Sequence, residues 1–198
     1  MGSARIILAL AAALFSASAA AQFSTPRTFY AGASVGSSNA DRWCSGAASV
    51  NCDDTSAALK AFGGYQLDHT FAVEVGYVHL GTFKASAPGG ATDEAKVRAL
   101  EGSIVAAFPI AQRTSLFGRF GGYYATVRED TNFAGASSNN NTDLTFGFGV
   151  RYDVSAKFAI RAEWQRYLDV GGPNVAFGAG TADLSSVDVL GVGALWRF

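Results

Sequence analysis

Leu144-Thr145-Phe146-Gly147-Phe148-Gly149-Val150-Arg151-Tyr152-Asp153 splits by alternation into two unlike faces. Leu144, Phe146, Phe148, Val150 and Tyr152 lie on one side, with Thr145, Gly147, Gly149 and Arg151 on the other. Strict alternation over this length marks a β-strand with one apolar face. Phe158 to Tyr167 repeats it, with Phe158, Ile160, Ala162 and Trp164 opposite Ala159, Arg161, Glu163, Gln165 and Tyr167. The polar faces carry arginine, glutamate and glycine, whereas the apolar faces are ringed and branched. Those choices fit an apolar face against lipid and a polar face lining a narrow lumen, the pattern of an outer-membrane β-barrel.

Eight strands follow from the alternation. They are Phe29–Gly36, Ala58–Leu67, Phe71–Leu80, Val97–Phe108, Leu116–Arg128, Thr142–Asp153, Phe158–Tyr167 and Ser186–Phe198. The connections alternate in length. Ser37–Ala57, Gly81–Lys96, Glu129–Asn141 and Leu168–Ser185 are long, while Asp68–Thr70, Pro109–Ser115 and Val154–Lys157 are short. Short periplasmic turns and long external loops belong to an even-stranded up-and-down barrel, so the expected fold is all-β, antiparallel and transmembrane. Outward positions include Val73, Val75, Tyr77, Leu100, Ile104, Phe108, Phe120, Tyr124, Leu190, Val192 and Trp196. Inward are Lys60, Glu74, Glu101, Ser103, Arg119, Arg151, Arg161, Glu163 and Arg197. A charge facing lipid near the midplane would cost about 2–4 kcal/mol. A soluble lipocalin-like barrel, with the faces exchanged, would bury those charges in its core and is rejected.

Residues 1–21 read as a cleaved signal peptide: Arg5, the apolar run Ile6 to Phe15, then Ala19-Ala20-Ala21 before Gln22. The run is too short for a spanning helix, and a buried helix fits poorly with the strand chemistry that follows. The barrel domain is then 22–198. With 23 Gly, 15 Phe and only 4 Pro, the composition suits closely paired strands rather than disorder. A net charge of -1, without a basic run, excludes nucleic acid as partner. Export places Cys44 and Cys52 in an oxidising compartment, where a disulfide is expected. No CxxC spacing or nearby histidine supports a metal site.

The run Ala61-Phe62-Gly63-Gly64-Tyr65-Gln66-Leu67, followed by Glu74-Val75-Gly76-Tyr77 and Leu80-Gly81, resembles the transmembrane domain of OmpA-type outer-membrane proteins. So do Gly118-Arg119-Phe120-Gly121-Gly122, Arg161-Ala162-Glu163-Trp164-Gln165 and the terminal Leu195-Trp196-Arg197-Phe198. The expected domain is the barrel alone, without the periplasmic peptidoglycan-binding domain of longer members, so cell-wall anchoring is not carried over. The resemblance implies that Glu74 on the third strand and Arg161 on the seventh pair inside the barrel, with Glu163, Arg119 and Arg151 nearby. Each lies four residues past its turn, counted from Thr70 and Lys157, which sets them at similar depth. Val105 falls where the better-known member has an interior lysine, and Arg151 where it has a glutamate, so the interior circuit is rewired. The resemblance also implies that Phe198 is read by the barrel-assembly machinery.

For chemistry, His79 at the outer end of the third strand and Ser86 in the following loop resemble parts of a lipid-modifying catalytic set, but no motif ties them to an acid. The Gly63-Gly64 and Gly121-Gly122 pairs sit within strands, where close packing explains them better than phosphate binding. Asp53-Asp54 lacks further oxygen ligands for calcium. Ser137-Ser138 and Asn139-Asn140-Asn141 read as a solvated loop. No cofactor, metal or catalytic residue is assigned. Expected partners are outer-membrane lipid and lipopolysaccharide, and the expected state is a monomer. The function read from the sequence is a non-enzymatic barrel of the Gram-negative envelope, supporting its integrity and displaying four surface loops. An eight-stranded interior is just wide enough for side chains to fill, which opposes porin-type diffusion and leaves a narrow gated ion path. The alternative is an adhesin or surface-binding protein acting through the loops, with a lipid A-modifying enzyme behind it.

Overall fold

The computed structural model describes residues 28–41, 51–87, 91–132, 135–170 and 186–198. The signal segment 1–21, Cys44 and most of the predicted loop Leu168–Ser185 lie outside these residues. The strands are β1 (Phe29–Asp41), β2 (Asn51–Asp53), β3 (Thr55–Gln66), β4 (Phe71–Ala87), β5 (Ala91–Ala111), β6 (Thr114–Thr131), β7 (Gly135–Asp153), β8 (Phe158–Leu168) and β9 (Ser186–Arg197). All neighbours are antiparallel, and β4–β5 pairing closes the ring β4-β3-β1-β9-β8-β7-β6-β5. The three-residue β2 pairs with β4 just beyond the end of its pairing with β3, so β2 and β3 together form one wall and the barrel has eight staves.

Closure of the ring leaves no free edge where the staves span the lipid, while β7 from Gly135 to Leu144 is paired with β6 alone. Along β4 and β5 the burial pattern alternates: Val73, Val75, Leu100 and Ile104 face out, while Glu74, Glu101 and Ser103 are buried. The outward belt is apolar around the ring, with Phe29, Val35, Leu59, Phe120, Phe148, Ile160 and Val192 all exposed. Rings cluster in it, as where Phe146 and Phe148 flank Trp164 at 5.8 and 5.2 Å. At one end the turns are tight. Asp68 Oδ1 accepts hydrogen bonds from the Thr70 and Phe71 amides, both at 2.7 Å, and β5 turns into β6 through Gln112 and Arg113.

Strands reach farther at the other end than the sequence suggests. Most of the predicted loops Gly81–Lys96 and Glu129–Asn141 belongs to β4, β5, β6 and β7. Asn139, Asn140 and Asn141, expected in a loop, pair across to Val127, Thr126 and Ala125. Their composition is loop-like, but Ala125 and Val127 are buried inward, and that packing overrides weak strand propensity. A spanning strand needs about 9–11 residues. The 21 residues of β5 therefore carry this wall well past the membrane.

A bulge in β4 lies where the extension begins. Pairing with β5 slips between His79 and Gly81, leaving Leu80 as the extra residue. Gly81 holds φ of 114°, and a Cβ there would fall 2.5 Å from Ser56 Cβ. Glycine is required on both counts. Ser56 Oγ accepts from the Thr82 amide at 2.9 Å, splicing the two strands across the irregularity. Beyond the bulge the alternation changes phase, so Phe83 rather than Thr82 points inward and is fully buried.

Candidate functional site

Three cations and three carboxylates fill the middle of the lumen. Lys60 comes from β3, Glu74 from β4, Glu101 from β5, Arg119 from β6, and Arg161 and Glu163 from β8. Each is at most 7% exposed. Arg161 Nη1 lies 2.9 Å from Glu74 Oε1, joining staves four apart in the ring of eight. Arg119 is the hub. It reaches Glu74 at 3.0 Å, Glu101 at 3.2 Å and Glu163 at 3.2 Å, and donates to Ser103 Oγ at 2.7 Å. Lys60 Nζ meets Glu101 at 2.7 Å and Glu163 at 3.3 Å, and donates to Gln165 Oε1 at 2.8 Å.

Neutral donors complete the band. Tyr167 donates to Glu101 at 2.6 Å and Gln165 Nε2 to Glu101 at 2.9 Å, while Tyr30 donates to Glu74 at 2.8 Å. The Arg161 guanidinium also lies over the Phe62 ring, 3.7 Å from its centroid. Gly64 makes room for the Tyr30 ring, since a Cβ there would strike it. Three positive and three negative groups sum to zero, which is what burial of so many charges demands.

Arg151 does not join. It is the β-ladder partner of Arg161, and like charges side by side repel. Its Nε lies 3.7 Å from Asp153 Oδ1, at the tight-turn end, where Arg197 Nη2 reaches the same oxygen at 2.6 Å. Lys60 and Glu101 take part although the sequence reading placed them inward without assigning them to the circuit. Their signal was the inward face; their membership depends on a register that one strand alone does not reveal.

Apolar layers bound the band on both sides. Toward the periplasm lie Phe62, Val105, Phe117 and Leu195, and below the band a cavity of ≈ 20 Å³ is lined by Tyr30, Glu74, Arg151 and Arg161. Val105 belongs to this layer. Outward lie Val78, Leu80, Phe83, Val97, Val127 and Val187. Tyr123 there donates to the Leu168 carbonyl.

The remaining candidates stay apart. His79 faces outward, half-buried, at the β4 bulge, and Ser86 is seven residues along the same strand, about 23 Å at strand spacing. Asp53 and Asp54 accept from the amide and hydroxyl of Thr55 at 3.2 and 3.1 Å. Among the described residues no three His, Cys, Asp or Glu side chains gather as a metal site. The backbone of Cys52 lies in β2 opposite Ala85.

A closed ring of eight antiparallel strands with an apolar outer belt and a charged, filled lumen defines an integral outer-membrane β-barrel protein. Residues 24–198 match the family described as the OmpA-like transmembrane domain, and the chain belongs to that family. Outer membrane protein A of Escherichia coli O157:H7 is 28% identical over 113 residues, which cover 56% of this chain and 32% of the relative. That of Salmonella typhi is 28% identical over 144 residues, 70% of this chain and 39% of the relative. The matched regions thus cover only 32% and 39% of these relatives' length. Neisserial surface protein A superimposes with a TM-score of 0.55 at 16% identity, covering 86% of this chain and 97% of that one. Ail, the attachment invasion locus protein of Yersinia pestis, solved with the heparin analogue sucrose octasulfate, gives 0.53 at 16%, covering 87% and 97%. These are likenesses of fold. The chain is an outer-membrane β-barrel of this family.

Proposed function

We propose that the chain is a surface-binding protein, with the barrel as its anchor and the external part of β4–β7 as its binding surface. The observation that carries this is the length of the wall. β5 and β6 stay paired from Asp93↔Thr131 down to Ala111↔Thr114, about twice what a membrane requires. A sheet held upright above the lipid presents its two hairpins at fixed height, which an anchor alone has no need of. The fold shared with Ail, an attachment protein by its name, supports this reading over envelope integrity. The neutral, filled band supports it over a gated ion path.

The test uses the full chain in proteoliposomes added to epithelial monolayers. Replacing residues 86–92 and 131–137 with short turns should abolish adhesion while the barrel still shifts mobility on boiling in SDS. Adhesion unchanged by both deletions would overturn the reading. The intact protein should give no conductance steps in a planar bilayer, and regular steps would restore the ion path.

Three further assignments belong to this reading. Residues 1–21 are removed on export, and Cys44 and Cys52 form a disulfide in the first external loop, where β2 runs beside β4. Phe198, whose amide donates to the Phe29 carbonyl at 3.0 Å, ends the closing strand at the interface and acts as the assembly signal. Deleting it should lower insertion in cells severalfold while refolding in detergent survives. Equal insertion would remove the signal role.

A further inference from the structure

The outer face of the long wall carries unpaired positive charge directly above the apolar belt. Tyr77, Leu100 and Tyr124 are ladder partners in one row and are all exposed outward. One step farther out the row reads His79, Arg98 and Thr126. The next reads Thr82, Lys96, Arg128 and Ser138. Along β5 and β6 each step is two residues, about 6.8 Å along a strand, or about 5 Å of height at the usual barrel tilt. Arg98 therefore stands about 5 Å above the aromatic edge, and Lys96 and Arg128 about 10 Å. The headgroup layer occupies roughly 5–8 Å beyond the hydrocarbon on each side. These side chains lie at or just beyond the phosphates.

They line one groove, together with Thr126, Asp130 and Ser138. The acids on this face, Asp130 in the groove and Glu94 beside it, do not cancel the charge of Lys84, Lys96, Arg98 and Arg128. Glu94 is engaged by Lys96 at 2.9 Å and Lys84 at 3.5 Å, and Asp130 is the second carboxylate. Four formal cations thus face two acids. Neither Arg98 nor Arg128 has a side-chain partner among the described residues, and His79 Nδ1 has none either. The opposite wall differs. One step above Trp164 and Leu190, Arg166 meets Asp188 at 2.9 Å and Asp41 at 3.6 Å, so its cation is already neutralised.

We infer that Arg98 and Arg128, with Lys96 and His79, form a binding site for the phosphate groups of outer-leaflet glycolipid, on one side of the barrel only. Arginine pairs phosphate bidentately. Tyr77, Leu100 and Tyr124 below would carry the acyl chains of the same lipid, so charge and apolar surface are matched to one amphiphile. A soluble polyanion would use the charges but not the belt beneath them, and lipid is therefore the occupant assigned.

The test compares the full chain with the Arg98→Gln/Arg128→Gln double variant, each refolded in phosphatidylcholine nanodiscs doped with rough lipopolysaccharide or with its dephosphorylated form. Bound glycolipid is counted by native mass spectrometry. The wild type should retain the phosphorylated form, and the double variant should retain roughly tenfold less, as expected from losing two charge-assisted contacts. Arg166→Gln should change nothing. Equal retention by wild type and double variant, or equal retention of the dephosphorylated form, would overturn the site. So would a variant that loses binding of soluble sucrose octasulfate but keeps glycolipid, since the groove would then serve a soluble polyanion.

Discussion

Between mid-lumen and the layer outside it, the inward side chains change from three carboxylates and three cations to Val78, Leu80, Phe83, Val97 and Val127. Both layers are buried, yet they are held differently. The charged band depends on every member having its counterpart, because a buried charge left alone costs more than the pair contributes. The apolar layer depends on volume, and losing one side chain leaves a hole but no orphaned charge. A barrel this narrow can be closed by either chemistry, and this one uses both in series. The band should therefore fail as a unit, and the apolar layer residue by residue.

The largest effect should come from the hub. Arg119→Ala leaves three carboxylates with two cations, at a cost of about 3–5 kcal/mol in a urea titration in detergent micelles. Arg119 is the one cation that touches Glu74, Glu101 and Glu163 together, so Lys60 and Arg161 cannot take over all its contacts. A loss below about 1 kcal/mol would place the band with exposed ion pairs and erase the contrast with the layer above.

Phe83→Ala tests the other half. Phe83 is fully buried and should cost about 3 kcal/mol through lost transfer energy and the cavity left behind. Its cost should be the same in low and high salt, and it should add independently to that of Arg119→Ala. Strong coupling between the two would mean that the layers act as one.

Within the band, Glu74 and Arg161 should couple by about 1–3 kcal/mol in a double-mutant cycle. Glu74→Ala should cost more than Arg161→Ala. Removing Glu74 orphans donors on Arg161, Arg119 and Tyr30, whereas removing Arg161 leaves Glu74 held by Arg119 and Tyr30. Strict additivity of the two single changes would mean that their 2.9 Å contact contributes nothing.

The barrel and its two faces were legible because alternation is a local signal, and lipid makes the outward half of it unambiguous. Leu144 to Tyr152 alone carries the argument. The band was half legible. Depth counted from the turns brings Glu74 and Arg161 level, but inwardness does not set the direction in which a long side chain bends. Arg151 faces the lumen, lies beside Arg161, and turns to the rim. The outer apolar layer was legible only up to the bulge. Val78, Leu80, Val97 and Val127 lie in the predicted strands, but Phe83 and Ala95 fall in a stretch that reads as loop, and the bulge at Leu80 and Gly81 reverses which residues point inward. Phe83 would be assigned to the wrong face by any count that carries the β4 alternation through the bulge.

The smallest effect concerns a charge in neither layer. Asp68 lies exposed in the turn before β4, and hydrogen bonds from the Phe71 and Thr70 amides hold its carboxyl below the usual aspartate range. A depressed folded value means that the carboxylate favours the folded turn at every pH above the unfolded value of about 3.9. That preference is lost as pH falls through the lower folded value. The Thr70 and Phe71 amide resonances should therefore hold steady from neutral pH to about pH 4 and move only below it. In Asp68→Asn they should show no such titration. Either change should lower the urea midpoint only slightly, because the turn is open to water and both layers are closed without it. A clear drop in the midpoint for Asp68→Asn would show that the turn helps to set the register of β3 and β4. The band would then depend on a residue outside it, since that register places Lys60 and Glu74.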